Sequence, residues 1–107
     1  MPKILIKGLV ACKGKVRGKV RIILDPSQPP KTAGGEIIVM PFSTPLMTMV
    51  LSKAAALITD CGGLTSHTAM IAREFNIPCI VGTKSATQVL KNGQTIFLNA
   101  DKGIVYE

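Results

Sequence analysis

Aromatic side chains are scarce in this 107-residue chain: three Phe (Phe42, Phe75, Phe97), one Tyr (Tyr106) and no Trp. The core must therefore be assembled from Ile, Val, Leu, Met and Ala. No apolar run reaches the roughly 18 residues of a membrane-spanning helix. The opening stretch, Met1-Pro2-Lys3-Ile4-Leu5-Ile6-Lys7, is too short in apolar residues for a signal peptide. Cysteine occurs three times without regular spacing, and an odd, irregular set is no disulfide framework. These absences predict a soluble, cytoplasmic protein with no membrane partner. Acidic residues number only six, and none precedes Asp25. Histidine occurs once, as His67.

What is present argues for a packed fold. The chain is 47% apolar and 18% charged, far from the low hydrophobicity and high charge of disordered segments. Its length predicts one domain spanning 1–107. The net charge is +7, and Lys3, Lys7, Lys13, Lys15, Arg17, Lys19 and Arg21 all fall within the first 21 positions. Such a cluster can attract nucleic acid, phosphate ligands or an acidic partner. Lysines and arginines also guard exposed strand edges. Edge guarding is favoured here and no nucleic-acid partner is expected, because no aromatic residue interleaves the cluster as a stacking platform requires.

Periodicity supplies the elements. Residues 3–11 and 15–24 read as strands, the second alternating polar and apolar over Lys15-Val16-Arg17-Gly18-Lys19-Val20-Arg21-Ile22. Gly14 marks a turn, and Gly18 marks a bulge or a close backbone approach. Asp25 to Gly35, with three prolines and two glycines, reads as a loop. Ile37-Ile38-Val39-Met40, Ala55-Ala56-Leu57-Ile58-Thr59 and Pro78-Cys79-Ile80-Val81-Gly82 are short apolar runs of the kind buried on both faces. Thr44-Pro45 predicts a capped helix through about Lys53. Ser66 to Phe75 predicts a helix stopped before Pro78, and Ser85 to Leu90 a helical turn. Asn92-Gly93 predicts a turn before a strand at 94–98, and Gly103 a turn before a last strand at 104–106. Strands at both ends with strand–helix alternation between them predict an α/β domain with a central mixed sheet.

The chemistry-bearing segment is Cys61-Gly62-Gly63-Leu64-Thr65-Ser66-His67-Thr68. It lies between a predicted strand and a predicted helix. Free amides and the positive dipole end of a helix favour anions, and glycines permit close backbone approach. Thr65, Ser66 and Thr68 add hydroxyls that can cap the helix or donate to phosphate oxygens. Unperturbed imidazole titrates at roughly 6.5, so much of it is the neutral nucleophile near pH 7. A phosphorus–nitrogen bond is labile enough for onward transfer. Spacing alone leaves open that His67 is an ordinary polar residue at a helix end. It also leaves open a metal site from Cys61, His67 and Cys79, although that spacing matches no familiar zinc pattern; no metal is expected. Arg73, six residues after His67, reads as solvated or ion-paired.

The run from Cys61 to Thr83 resembles the phosphohistidine signature of phosphoenolpyruvate-utilising enzymes. These include phosphoenolpyruvate synthase, pyruvate phosphate dikinase and enzyme I of the sugar phosphotransferase system. The resemblance rests on Gly62-Gly63-x-Thr65-Ser66-His67, Ala72-Arg73, Ile77-Pro78 and Val81-Gly82. It implies a swivelling β/β/α phosphohistidine domain in which His67 accepts a phosphoryl group at one active site and delivers it at another. Gly62, Gly63, Thr65, Ser66 and Thr68 would hold the phosphate. It implies partner domains or subunits that bind nucleotide on one side and phosphoenolpyruvate or pyruvate, with Mg, on the other. No cofactor is implied in this chain itself. Leu64 stands where many members have Arg, and Thr68 where dikinases and synthases have Ala, although Thr occurs there in enzyme I. Thr65 occupies the position that some dikinases phosphorylate to switch the domain off.

The expected function is therefore a phosphoryl-carrier component of a phosphotransferase that needs partners for complete catalysis. The alternative is a binding or regulatory module with the same fold and no phosphoryl transfer. Met1 and a closing strand weigh towards a natural chain over an excised domain.

Overall fold

The computed structural model describes residues 3–25 and 34–107. The loop expected between Asp25 and Gly35 lies largely outside them. Among the described residues eight strands form: β1 Ile4–Lys7, β2 Leu9–Cys12, β3 Lys15–Ile22, β4 Ile37–Met40, β5 Ala56–Thr59, β6 Cys79–Val81, β7 Thr95–Asn99 and β8 Ile104–Tyr106. Three short α-helices join them: α1 Thr48–Leu51, preceded by a 3-10 turn at Pro45–Met47, α2 His67–Phe75 and α3 Ala86–Val89.

The strand order is β1-β8-β7-β3-β4-β5-β6-β2. β1 and β2 stand at its opposite ends, yet only Gly8 separates them in sequence. The expected single strand over 3–11 is thus one strand shared between two sheets. β1 pairs antiparallel with β8 and β2 antiparallel with β6. The crossing point requires glycine: a Cβ at Gly8 would lie 2.6 Å from Ile80 Cγ2 and 2.7 Å from the Val81 carbonyl. β3 is shared in the same way. Lys15–Lys19 pair antiparallel with β7, while Val20–Ile22 pair parallel with β4. Gly18 stays in register opposite Ile96, so it forms no bulge. A Cβ would instead meet Ile37 at 3.4 Å, which is the close approach.

Two sheets and a helical layer result, a mixed α/β fold of β/β/α type. Between the sheets lie Val20, Ile37, Val39, Ile58, Ile80, Ile96, Leu98 and Val105. On the far face of the parallel strands, Ile38, Met40, Leu57, Cys79 and Val81 pack with Met47 and Leu51 and with Ala69, Ile71 and Ala72 of α2. β4, β5 and β6 are accordingly buried at every position, whereas β7 alternates, as a strand with one wet face does. The helix expected from Thr44 to Lys53 is shorter: Thr44 makes no side-chain cap, and the Pro45 turn is 3-10 before α1 begins. α2 ends at Asn76, which takes the left-handed cap conformation (φ 55°), so the stop precedes Pro78 by two residues. No helix among the described residues is long and apolar enough to cross a membrane.

Candidate functional site

The loops that follow β4, β5 and β6 leave the same edge of the sheet, because these three strands are parallel. Carboxyl ends of parallel strands are where such folds gather ligand-facing groups. Backbone bonds stitch the loops together. The Cys61 amide donates to the Pro41 carbonyl at 2.9 Å, and the Lys84 amide donates to the Asp60 carbonyl at 2.9 Å. Thr83 donates from both its amide (3.1 Å) and its hydroxyl (2.9 Å) to the Thr59 carbonyl.

The turn into α2 is set by one glycine. Gly62 has φ +99°, and a Cβ there would stand 3.0 Å from Ser66 Cβ, so an L side chain is strained twice over. Gly63 has no such constraint, and a Cβ would meet nothing within 4 Å. Ser66 is extended (φ −67°, ψ 162°), and its Oγ accepts from the Ala69 amide at 3.3 Å. It is the N-cap of α2, satisfying one of the four free amides of the first turn. The amides of His67 and Thr68 find no acceptor among the described residues. No acidic residue sits in that turn, so the positive end of the helix is uncompensated.

His67 is the first helical residue and is half-buried. Its Nδ1 lies 2.8 Å from Ser43 Oγ, in the loop after β4. Ser43 Oγ in turn lies 2.6 Å from Thr68 Oγ1. Thr68 is buried, so this hydroxyl, expected to face a ligand, belongs to the support of the ring. In the tautomer that donates from Nδ1 to Ser43, the Ser43 hydroxyl donates onward to Thr68 Oγ1 and Nε2 keeps its lone pair. The row His67–Ser43–Thr68 thus holds the ring orientation, with Nδ1 turned to Ser43. Thr65 and Cys61 are exposed on the loop. Arg73 is exposed, as expected of a solvated side chain, and its Nη2 also donates to the Leu64 carbonyl at 2.7 Å, tying the loop to the helix.

Ser43 was invisible to the sequence reading. The available signal was weak: hydroxyl residues directly after a buried strand, whose parallel neighbour carries the histidine. The three candidate metal ligands do not gather. Among the described residues no group of three or more His, Cys, Asp or Glu forms. Cys79 lies inside the core opposite Cys12 of β2. Burial, and then the neighbouring Cys12, push its thiol up to about 12, with Arg73 opposing.

A family model described as "PEP-utilising enzyme, mobile domain" matches residues 32–103. A probable phosphoenolpyruvate synthase of Archaeoglobus fulgidus is 46% identical over 105 residues, which is 98% of this chain and 14% of that protein. The solution structure of an Enzyme I protein superposes with a TM-score of 0.60 at 32% identity, over 69% of this chain and 31% of that one. Aconitase X of Thermococcus kodakaraensis shares the fold, with a TM-score of 0.73 at 23% identity over 94% of this chain and 95% of that one. The match in sequence falls on the loops and helix that build the site, and this chain belongs to the mobile-domain family of phosphoenolpyruvate-utilising enzymes.

Proposed function

We propose that this chain carries a phosphoryl group on Nε2 of His67 between two active sites supplied by partner domains or subunits, in phosphoenolpyruvate-linked phosphotransfer in the cytoplasm. The observation that carries the reading is the Ser43 contact to Nδ1, which leaves Nε2 as the nucleophile. The Nε2 lone pair attacks the donor's phosphorus, the donor's bond to that phosphorus breaks, and the donor leaves with the electron pair. The ring, now bearing a proton on Nδ1 and phosphorus on Nε2, is positively charged, and Ser43 Oγ accepts from the charged donor. Hydrogen bonds to charged groups contribute about 1.5–3 kcal/mol. The free amides of His67 and Thr68, the opened backbone at Gly62 and Gly63, and the exposed Thr65 hydroxyl form the cradle for the phosphoryl oxygens. Ser66 and Thr68 act one step back, holding the helix end and the ring. Nucleotide, phosphoenolpyruvate or pyruvate, and Mg belong to the partners, consistent with relatives of which this chain spans 14%. We take residues 1–107 as one carrier domain.

Potassium phosphoramidate, a small donor that needs no partner, tests the site in the chain as it stands. Tandem mass spectrometry under alkaline conditions should find the group on His67 alone, lost in acid and missing from His67→Gln. Undiminished acid-labile label in that variant contradicts the assignment. Ser43→Ala should slow labelling by roughly tenfold to a hundredfold, the weight of one charge-assisted hydrogen bond, without unfolding the chain.

A further inference from the structure

The basic cluster of the first 21 residues acquires a shape only on folding. Over Lys15–Lys19, β3 pairs with β7 alone, so these cations lie on an end strand of the antiparallel sheet, where edge guarding accounts for their charge but not for the direction in which they point. They project from the outer face of the antiparallel sheet β1-β8-β7-β3. Inward from that sheet point Val16, Leu98, Val105 and Ile6, all part of or packed on the core between the sheets. The alternate positions therefore point out. One outward row across the four strands is Arg17, Phe97, Tyr106 and Ile4. The next is Lys15, Asn99, Ile104 and Lys7, and Lys19 stands opposite Thr95 beyond the first.

No outward residue of these rows is acidic. Two carboxylates of the neighbouring loops point elsewhere: Asp101 accepts from the Gly14 amide at 3.1 Å, and Glu107 accepts from Gln94 Nε2. Four cations thus surround an aromatic pair, and no residue of these rows carries an opposing charge. The absence of aromatics within the linear cluster is overturned by folding, since Phe97 and Tyr106 arrive from other strands. Their arrangement, however, does not suit bases. Phe97 and Tyr106 stack on each other, centroids 5.3 Å apart and planes 8° apart. The Arg17 guanidinium covers Phe97 at 5.4 Å from its centroid. Flanked by Tyr106 on one side and Arg17 on the other, Phe97 has no free face for a nucleobase. What the surface offers outward is ring edges, which carry the positive end of the aromatic quadrupole, among ammonium and guanidinium groups.

We infer that this outer sheet face is a docking surface for an acidic protein surface, one presenting clustered Asp and Glu side chains. Carboxylates match both the cations and the ring edges. The face also lies on the opposite side of the three-layer stack from α2 and its His67, so a partner seated here leaves the histidine free to react. Its size sets the strength. Strands roughly 4.8 Å apart and alternate residues about 6.8 Å apart give a patch about 14 Å by 14 Å, small beside a stable interface. The docking is therefore transient and salt-dependent, governed by attraction at a distance more than by buried area. It does not depend on the phosphoryl-carrier reading.

The test is an NMR titration of the isotope-labelled chain with a short polyglutamate peptide and, separately, a short oligouridylate of equal charge. The peptide should shift amides of β1, β3, β7 and β8 and leave those around His67 unmoved. Arg17→Glu with Lys19→Glu should weaken it by at least about tenfold, whereas Lys53→Glu with Lys91→Glu, off this face, should weaken it by less than about threefold. Raising salt from about 0.05 M to about 0.5 M should abolish the shifts. Shifts scattered over all basic residues, or equal losses from both charge-reversed pairs, would reduce the effect to net charge and overturn the proposal. Tighter binding of the oligouridylate on this face would overturn it in favour of nucleic acid.

Discussion

The two sheets share strands and one core, yet they are built to opposite rules. β4, β5 and β6 are buried on both faces, and everything reactive hangs from the loops at their carboxyl ends. The antiparallel sheet buries one face and leaves the other to water and cations. The contrast teaches how a small chain separates tasks. The doubly covered sheet has no solvent-facing positions to spare, so it serves as the rigid base from which His67 and Ser43 are aimed. The singly covered sheet has free positions along every strand, and it can change its surface without disturbing that base.

The largest expected difference is in stability. Leu57→Ala, in the middle of the doubly covered sheet and wholly buried, should cost about 2–5 kcal/mol in a urea titration. Lys19→Ala on the outer face should cost within about 0.5 kcal/mol. Similar losses from the two would erase the distinction.

Alkaline pH should find the same division. Burial keeps the folded Cys79 thiol protonated up to about 12, against 9.0 for the ordinary thiol. The stability this confers is complete below about pH 9 and is lost as pH rises towards 12. Over that window one proton separates the two states, a slope of about 1.4 kcal/mol per pH unit. Urea midpoints of Cys79→Ala measured from about pH 8 to about pH 11 should fall less steeply than those of the unmodified chain. Parallel curves would show that the buried sheet is not the source.

Much of this architecture is legible in the sequence, for identifiable reasons. The three short apolar runs announce doubly buried strands, and Ser66 announces the start of α2 because capping is local chemistry. Alternation along Lys15–Ile22 announces a half-wet strand. Gly8 conceals its meaning, since nothing local says that one strand must serve two sheets. Ser43 conceals its meaning because its partner is 24 residues away. The Arg17–Phe97–Tyr106 stack is equally hidden, being a product of register between strands at the two ends of the chain. Local signals survive in a sequence; pairings made by the fold do not.

A smaller effect sharpens the picture within the reactive half. Gly62→Ala should cost about 1–2 kcal/mol, because its left-handed backbone disfavours any Cβ. Gly63→Ala should leave stability unchanged within about 0.5 kcal/mol, as a Cβ there meets nothing. Any slowing of phosphorylation in Gly63→Val therefore reports on approach of the phosphoryl group and not on folding. Equal stability of the two variants, read by thermal unfolding, would mean that the turn is not set by Gly62.

The central claim is that His67 both receives and gives up a phosphoryl group. Grafting this chain in place of the 105 matched residues of the Archaeoglobus fulgidus relative and supplying phosphoenolpyruvate puts that claim to the most direct measurement. Rapid quenching into base, followed by mass spectrometry, should find phosphate on His67 of the folded chimera, and adding excess pyruvate should discharge it. A folded chimera that takes no acid-labile phosphate from phosphoenolpyruvate, or takes it on a residue other than His67, would contradict the account.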